Sequence, residues 1–174
     1  PASARNLGAE SARGRHLVFL DDDCRPAKKW LSVIAQALSK HPRDMIGGHT
    51  INRLSRNPYS IASQCMVDII YEHFNSRESP IGFFTSNNLA LNTDLFRQVG
   101  GFDARFTLAA AEDREICDRW LAAGSRLRYV SNAVLYHLHE LDCANFIKQH
   151  LNYGRGARLY HAIRSQRGNR PLKV

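Results

Sequence analysis

The apolar run Leu17-Val18-Phe19-Leu20 ends abruptly in Asp21-Asp22-Asp23. A short apolar run bounded by polar residues reads as a strand over His16–Asp21, buried on both faces. Three adjoining carboxylates cannot follow that strand into a core, because unpaired buried charge is costly. They belong at an open end of a sheet, where α/β folds bind ligands. The triplet is then either an acidic turn capping the helix after Pro26 or a face turned to something cationic. Two carboxylates spaced as Asp21-x-Asp23 can share a hard divalent cation, Mg²⁺ or Mn²⁺, through oxygen.

The rest of the chain alternates between two periodicities. Residues 2–13 are Ala-rich and helix-prone, closed by Gly14. Pro26 stands at a helix start, and Trp30, Leu31, Ile34, Ala35 and Leu38 recur at helical spacing through Lys40. A strand is expected in Asp44–Asn52 and a helix from Pro58 to Phe74. Gly82–Asn92 reads as extended, and Thr93 as the N-cap of a short helix ending at Gly100-Gly101. Glu112–Ala123 is helical and stopped by Gly124, Arg126–His139 holds short strands, and Leu141–Ser165 is a long helical stretch weakened at Gly154 and Gly156. The basic tail from Gln166 is expected to fray. Strands alternating with helices predict an α/β fold with a mainly parallel sheet flanked by helices. Residues 1–140 would form that domain and 141–174 a basic amphipathic helical segment.

Charge narrows the partners. The chain has 174 residues, with 24 Lys+Arg against 16 Asp+Glu, a net charge of +8. That excess favours nucleic acid, an anionic membrane face or phosphorylated small molecules. Aromatic and basic residues are not interleaved as a base-stacking array requires, so nucleic acid is the least favoured. The cysteines Cys24, Cys65, Cys117 and Cys143 form no CxxC pair, and reduced, buried thiols in a cytoplasmic protein are expected. No stretch approaches the ~18 consecutive apolar residues of a membrane span, and residues 1–15 carry no signal-peptide core.

An ordered series of short motifs goes further: ARNLG (Ala4–Gly8), FLDDD, WL, SNNLALN (Ser86–Asn92), GGFD (Gly100–Asp103), ED (Glu112-Asp113), RxxxAG (Arg119–Gly124) and YHLH (Tyr136–His139). Taken together they resemble the inverting glycosyltransferases of family 2, which have the GT-A fold, over most of residues 2–140. The resemblance implies that Asp21-Asp22-Asp23 is the family's DxD element, with Asp23 the principal ligand of Mn²⁺ or Mg²⁺. Asp21 would stand nearer the ribose or the metal's water shell. Arg5, Asn6 and Asp22 would lie by the nucleotide or diphosphate. Asp113 would be the general base, and Glu112, Asn87 and Asn88 would line the sugar or acceptor pocket. His137 would be a further metal or diphosphate ligand, with His139 expected to face the other way. Each has a plainer role as well. Acids at a helix start favour its dipole, asparagines make turns, and histidines sit in cores or on surfaces.

The implied partners are a nucleotide-diphosphate sugar donor and a carbohydrate or lipid-linked acceptor. The family places a strand and further βα units before its ARN-type segment, and this sequence begins at that segment. A fragment or truncated protein without its base-binding half is the expectation. The alternatives are a remnant that folds but cannot bind donor, or a basic metal-dependent nucleic-acid-binding protein. Residues 142–170 add Phe146, Ile147, Leu151, Leu159, Tyr160 and Ile163 as apolar positions. They also add Lys148, Arg155, Arg158, Arg164, Arg167 and Arg170 as positive ones. Core packing and a peripheral contact with the anionic inner face of the cell membrane are both expected of them.

Overall fold

The computed structural model describes residues 1–75 and 82–168. In chain order the elements are α1 (Ala2–Ser11), β1 (His16–Phe19), β2 (Cys24–Pro26), α2 (Trp30–Lys40), β3 (Met45–Asn52) and α3 (Pro58–Asn75). A 3₁₀ turn at Ser86–Asn88 leads into β4 (Leu89–Asn92), then α4 (Thr93–Gln98), α5 (Glu112–Ala122), β5 (Leu127–His137) and α6 (Cys143–Gln166). The strands form one sheet in the order β1-β4-β3-β5-β2.

Its direction corrects the expectation. Among the described residues β3 and β5 pair parallel, whereas β1 with β4, β4 with β3, and β5 with β2 pair antiparallel. The sheet is mixed, not mainly parallel. A long crossover through α3, β4, α4 and α5 allows the parallel pair, but β4 enters between β1 and β3 running the other way. Alternation of strand and helix in a sequence does not encode that reversal.

Alternation along the strands builds a core on each face of the sheet. Met45, Leu89 and Leu91 point to one side, where Phe96, Ile116 and Trp120 pack on them. Their neighbours Ile46 and Ala90 point to the other, against Trp30, Ile34 and Leu38 of α2. Each fully buried Leu, Ile or Phe contributes roughly 1.5–3 kcal/mol.

Other local expectations shift. Strand β1 lies at a sheet edge with most of its residues half-buried, so it is not buried on both faces. Pro26 ends β2 instead of opening a helix, and α2 begins at Trp30. An edge strand tolerates proline because no ladder N–H is needed there. The cap of α4 is Asn92, whose side chain accepts from the Leu95 N–H at 2.9 Å, while the Thr93 hydroxyl donates to the Gly14 carbonyl. Residues 127–137 form one long strand whose pairing with β3 slips between Gly48 and His49. Cys24 and Cys117 are buried thiols as expected, but Cys65 and Cys143 are exposed.

The long helix α6 packs on α3 and α5. Tyr160 and Ile163 are buried beside Phe106, whereas Ile147 and Leu151 stay exposed. Gly156 sits against Ala110 so closely that a Cβ would collide with the Ala110 carbonyl. Arg164 pairs with Asp118 at 3.0 Å, and Arg167 pairs with the fully buried Glu115. Two of the six expected basic residues therefore serve internal ion pairs, and Arg170 lies outside the described residues.

Candidate active site

One end of the sheet gathers the charged motifs. The turn after β1 brings Asp23 to the start of β2, and the register of β2 on β5 sets Cys24 opposite His137. The chain then leaves the strand, with the Leu138 N–H donating to the Asp23 carbonyl at 2.9 Å. Residues two apart in extended backbone share a face, and His137 and His139 accordingly point the same way, not opposite ways. Their rings stack with centroids 5.2 Å apart. Both reach one carboxylate, His137 Nε2 at 3.3 Å from Asp23 Oδ1 and His139 Nδ1 at 3.0 Å from Asp23 Oδ2. Burial pushes the His137 imidazole below its usual range, against the pull of Asp23, and so favours its neutral, ligand-ready form.

These three residues offer one oxygen and two nitrogens within 4.8 Å of one another. That donor set suits a divalent cation. The two imidazoles depart from the all-oxygen shell that Mg²⁺ prefers, which favours Mn²⁺. Asp21 stands outside the trio. Its Oδ1 accepts from Arg5 Nη2 at 2.8 Å, while Arg5 Nη1 donates to Glu112 Oε1 at 2.9 Å. Arg5 thus straps the end of β1 to the head of α5, and Asp22 between them is exposed.

The head of α5 is itself unusual. Ala111, which precedes Glu112, has φ 67°, a left-handed conformation that a non-glycine residue rarely adopts. Such strain concentrates at functional sites. Glu112 is buried, and its Oε2 has no hydrogen-bond partner among the described residues. Asp113 next to it is half-buried, and the Arg114 N–H donates to its Oδ1 at 2.8 Å. Burial, reinforced by the neighbouring Glu112 charge, pushes the Asp113 carboxyl up to about 7. A carboxylate so placed can take a proton near neutral pH.

The asparagines hold the frame. The Asn6 amide bonds Phe102 at both ends, donating to its carbonyl at 2.8 Å and accepting from its N–H at 2.9 Å. Gly101, with φ 67°, leaves room for that clamp, because a Cβ would come within 2.8 Å of Asn6 Oδ1. Asn88 is fully buried, accepts from Trp30 Nε1 at 2.9 Å and donates to the Ala133 carbonyl at 3.1 Å. Asn87 is buried too and accepts from the Thr85 hydroxyl at 2.8 Å. Sequence reasoning missed two neighbours on α6. Gln149 bonds His139, and Tyr153 lies within electrostatic reach of Asp113, Glu112 and Asp21. Burial and those three carboxylates push the Tyr153 phenol up to about 12, so it stays a neutral donor. No motif marks either residue.

The family model described as Glycosyl transferase family 2 matches residues 1–108, ending just before the head of α5. The pre-mycofactocin glycosyltransferase of Mycobacterium tuberculosis is 27% identical over 183 residues, covering 100% of this chain and 37% of its own length. The chondroitin synthase of Pasteurella multocida is 26% identical over 166 residues, covering 78% of this chain and 17% of its own. The chain therefore spans little more than a third of the Mycobacterium relative. Among solved structures, the mannosyltransferase PcManGT from Pyrobaculum calidifontis, in complex with GDP-Man and Mn²⁺, superposes with a TM-score of 0.71 at 16% identity. The match covers 98% of this chain and 45% of that one. GalNAc-T7, with UDP, GalNAc and Mn²⁺, gives a TM-score of 0.60 at 18% identity, covering 90% of this chain and 34% of that one. At such identities these likenesses carry the fold, which is GT-A.

Proposed function

The chain belongs to glycosyl transferase family 2, and on that premise we propose that it moves a sugar from a nucleotide-diphosphate donor to an acceptor hydroxyl, with inversion and with help from Mn²⁺. The carrying observation is that one sheet end unites a three-donor cation set with a carboxylate basic enough to work near neutral pH. Arg5 ties the two halves, reaching Asp21 beside the first and Glu112 beside the second. Mn²⁺ in the solved GT-A neighbours agrees with that reading.

In this proposal Asp23, His137 and His139 would hold the cation. A bound Mn²⁺ would neutralise charge on the departing diphosphate, acting as a Lewis acid. Asp113 accepts the proton of the acceptor hydroxyl as its oxygen bonds the anomeric carbon. The bond from that carbon to the diphosphate oxygen breaks, and the nucleotide leaves with the electron pair. One base and attack from the face opposite the leaving group invert the configuration. Arg5 holds Asp21 and Glu112 near the donor and offsets two of the four carboxylates gathered there. Asn6, Asn87 and Asn88 keep the walls of the site in place. Calorimetry with uridine, guanosine and thymidine diphosphates is expected to give binding to one of them that requires Mn²⁺. Absence of any Mn²⁺-dependent binding would favour a remnant that folds without recognising donor.

The acceptor is proposed to be carbohydrate or lipid-linked, met at an anionic membrane face. No helix among the described residues is long and apolar enough to cross a membrane. Ile147 and Leu151 are 52% and 59% exposed on α6, in company with exposed Lys148, Arg155 and Arg158. Each such cation near anionic lipid adds ~1 kcal/mol of attraction. Co-sedimentation with vesicles is expected to rise with the anionic lipid fraction and fall with salt. Indifference to both would leave α6 as packing alone.

A further inference from the structure

We propose that Gln149 is a positioning residue for the cation site, fixing the His139 ring so that Nδ1 is its ligating nitrogen; the inference rests on the cation reading above. His139 uses both ring nitrogens. Nδ1 stands 3.0 Å from Asp23 Oδ2, and Nε2 stands 2.8 Å from Gln149 Oε1. An amide oxygen only accepts, so the second bond requires a proton on Nε2. The neutral ring then carries its lone pair on Nδ1, facing a carboxylate oxygen. In metal-free protein a second ring proton can bridge these two atoms; with a cation bound, Nδ1 and the carboxylate both turn to it, and His137 Nε2 supplies the third donor.

The Gln149 side chain is itself anchored. Its Nε2 donates to Ser63 Oγ at 2.8 Å, and Ser63 is a buried residue of α3. Gln149 lies almost two turns into α6, whose start is fixed by Asp142 accepting from the Asn145 N–H at 2.7 Å. The far end of α6 is fixed on α5 by the Arg164–Asp118 and Arg167–Glu115 pairs. A relay of Ser63, Gln149 and His139 therefore runs from the helical layer to the cation. Partners of this kind orient metal-bound imidazoles in general, and losing one costs about 10–100-fold in metal affinity.

The test is titration of the whole chain with Mn²⁺ alone, following free Mn²⁺ by electron paramagnetic resonance. Gln149→Leu, which cannot accept, is expected to weaken Mn²⁺ binding about 10–100-fold. Gln149→Glu, which can only accept, is expected to bind at least as tightly as the wild type. A merely structural contact would not discriminate the two in this way. His139→Ala serves as the reference and should bind weakly. If the wild type does not bind Mn²⁺, the cation reading and this inference fall together. Should His139→Ala lose affinity while Gln149→Leu keeps it, this inference alone is overturned. Weak binding by Gln149→Glu overturns it as well, and decides the matter even if Gln149→Leu fails to fold.

Discussion

Asp113→Asn is expected to lower turnover about 10²–10⁴-fold while donor binding stays near wild type. The substitution keeps the shape of the side chain and the oxygen that accepts from the Arg114 N–H. It removes only basicity, which matters in the transition state and not in the bound ground state. Because burial and Glu112 push the Asp113 carboxyl up to about 7, the wild-type rate should climb with pH through about 7, and the variant should lack that limb. Stability should move the opposite way. An unfolded chain releases this proton near a pKa of ~3.9, so between there and about 7 the folded protein binds more protons than the unfolded one. Stability contributed by this group is therefore lost as pH rises across that interval. An Asn has no charge to bury, and the variant should be at least as stable as wild type at pH 8. Unchanged turnover, or a variant that melts lower than wild type at pH 8, would return Asp113 to a plain role at the helix start.

The aspartate triplet was legible because three carboxylates after an apolar run can only stand at an open sheet end. What each does there was not. Asp21 bonds an arginine sixteen residues earlier in the chain, and Asp23 faces two histidines more than a hundred residues later. The expectation that His139 faces away from His137 does not hold. A period of two sets residues i and i+2 on one face, so both histidines share the side on which Asp23 stands. Gln149 and Ser63 carry no local signal at all, since their importance arises only where α6 crosses α3. Asn6 and Asn88 were visible only as members of the ARNLG and SNNLALN motifs, and their hydrogen bonds run inward to the Phe102 backbone and to Trp30. The left-handed Ala111 is the least legible feature, because alanine advertises no such conformation. The sheet's mixed direction was hidden for a related reason. A helix between two strands fixes neither the place nor the sense in which the second strand enters.

Asp23→Ala is expected to abolish Mn²⁺-assisted nucleotide binding while the fold survives. Asp23 bonds both histidines, so its loss removes the one anionic donor and leaves two imidazoles side by side. The effect should exceed the about 10–100-fold that follows from disturbing an outer partner such as Gln149. The fold should persist because the backbone ties at this position, the Leu138 N–H to the Asp23 carbonyl and the pairing of Cys24 with His137, do not involve the side chain. One further consequence separates a cation site from an acidic turn. The Cys24 thiol is pushed up to about 12, first by burial and then by the Asp23 charge. Removing that charge should lower the Cys24 pKa in metal-free protein, and a bound cation should do the same in wild type by offsetting the carboxylate. Alkylation of Cys24 at alkaline pH, in protein with the exposed Cys65 and Cys143 replaced by serine, reads both changes. If Asp23→Ala binds nucleotide with the same Mn²⁺ dependence as wild type, and Mn²⁺ leaves Cys24 reactivity untouched, then the triplet is a turn and the cation lies elsewhere.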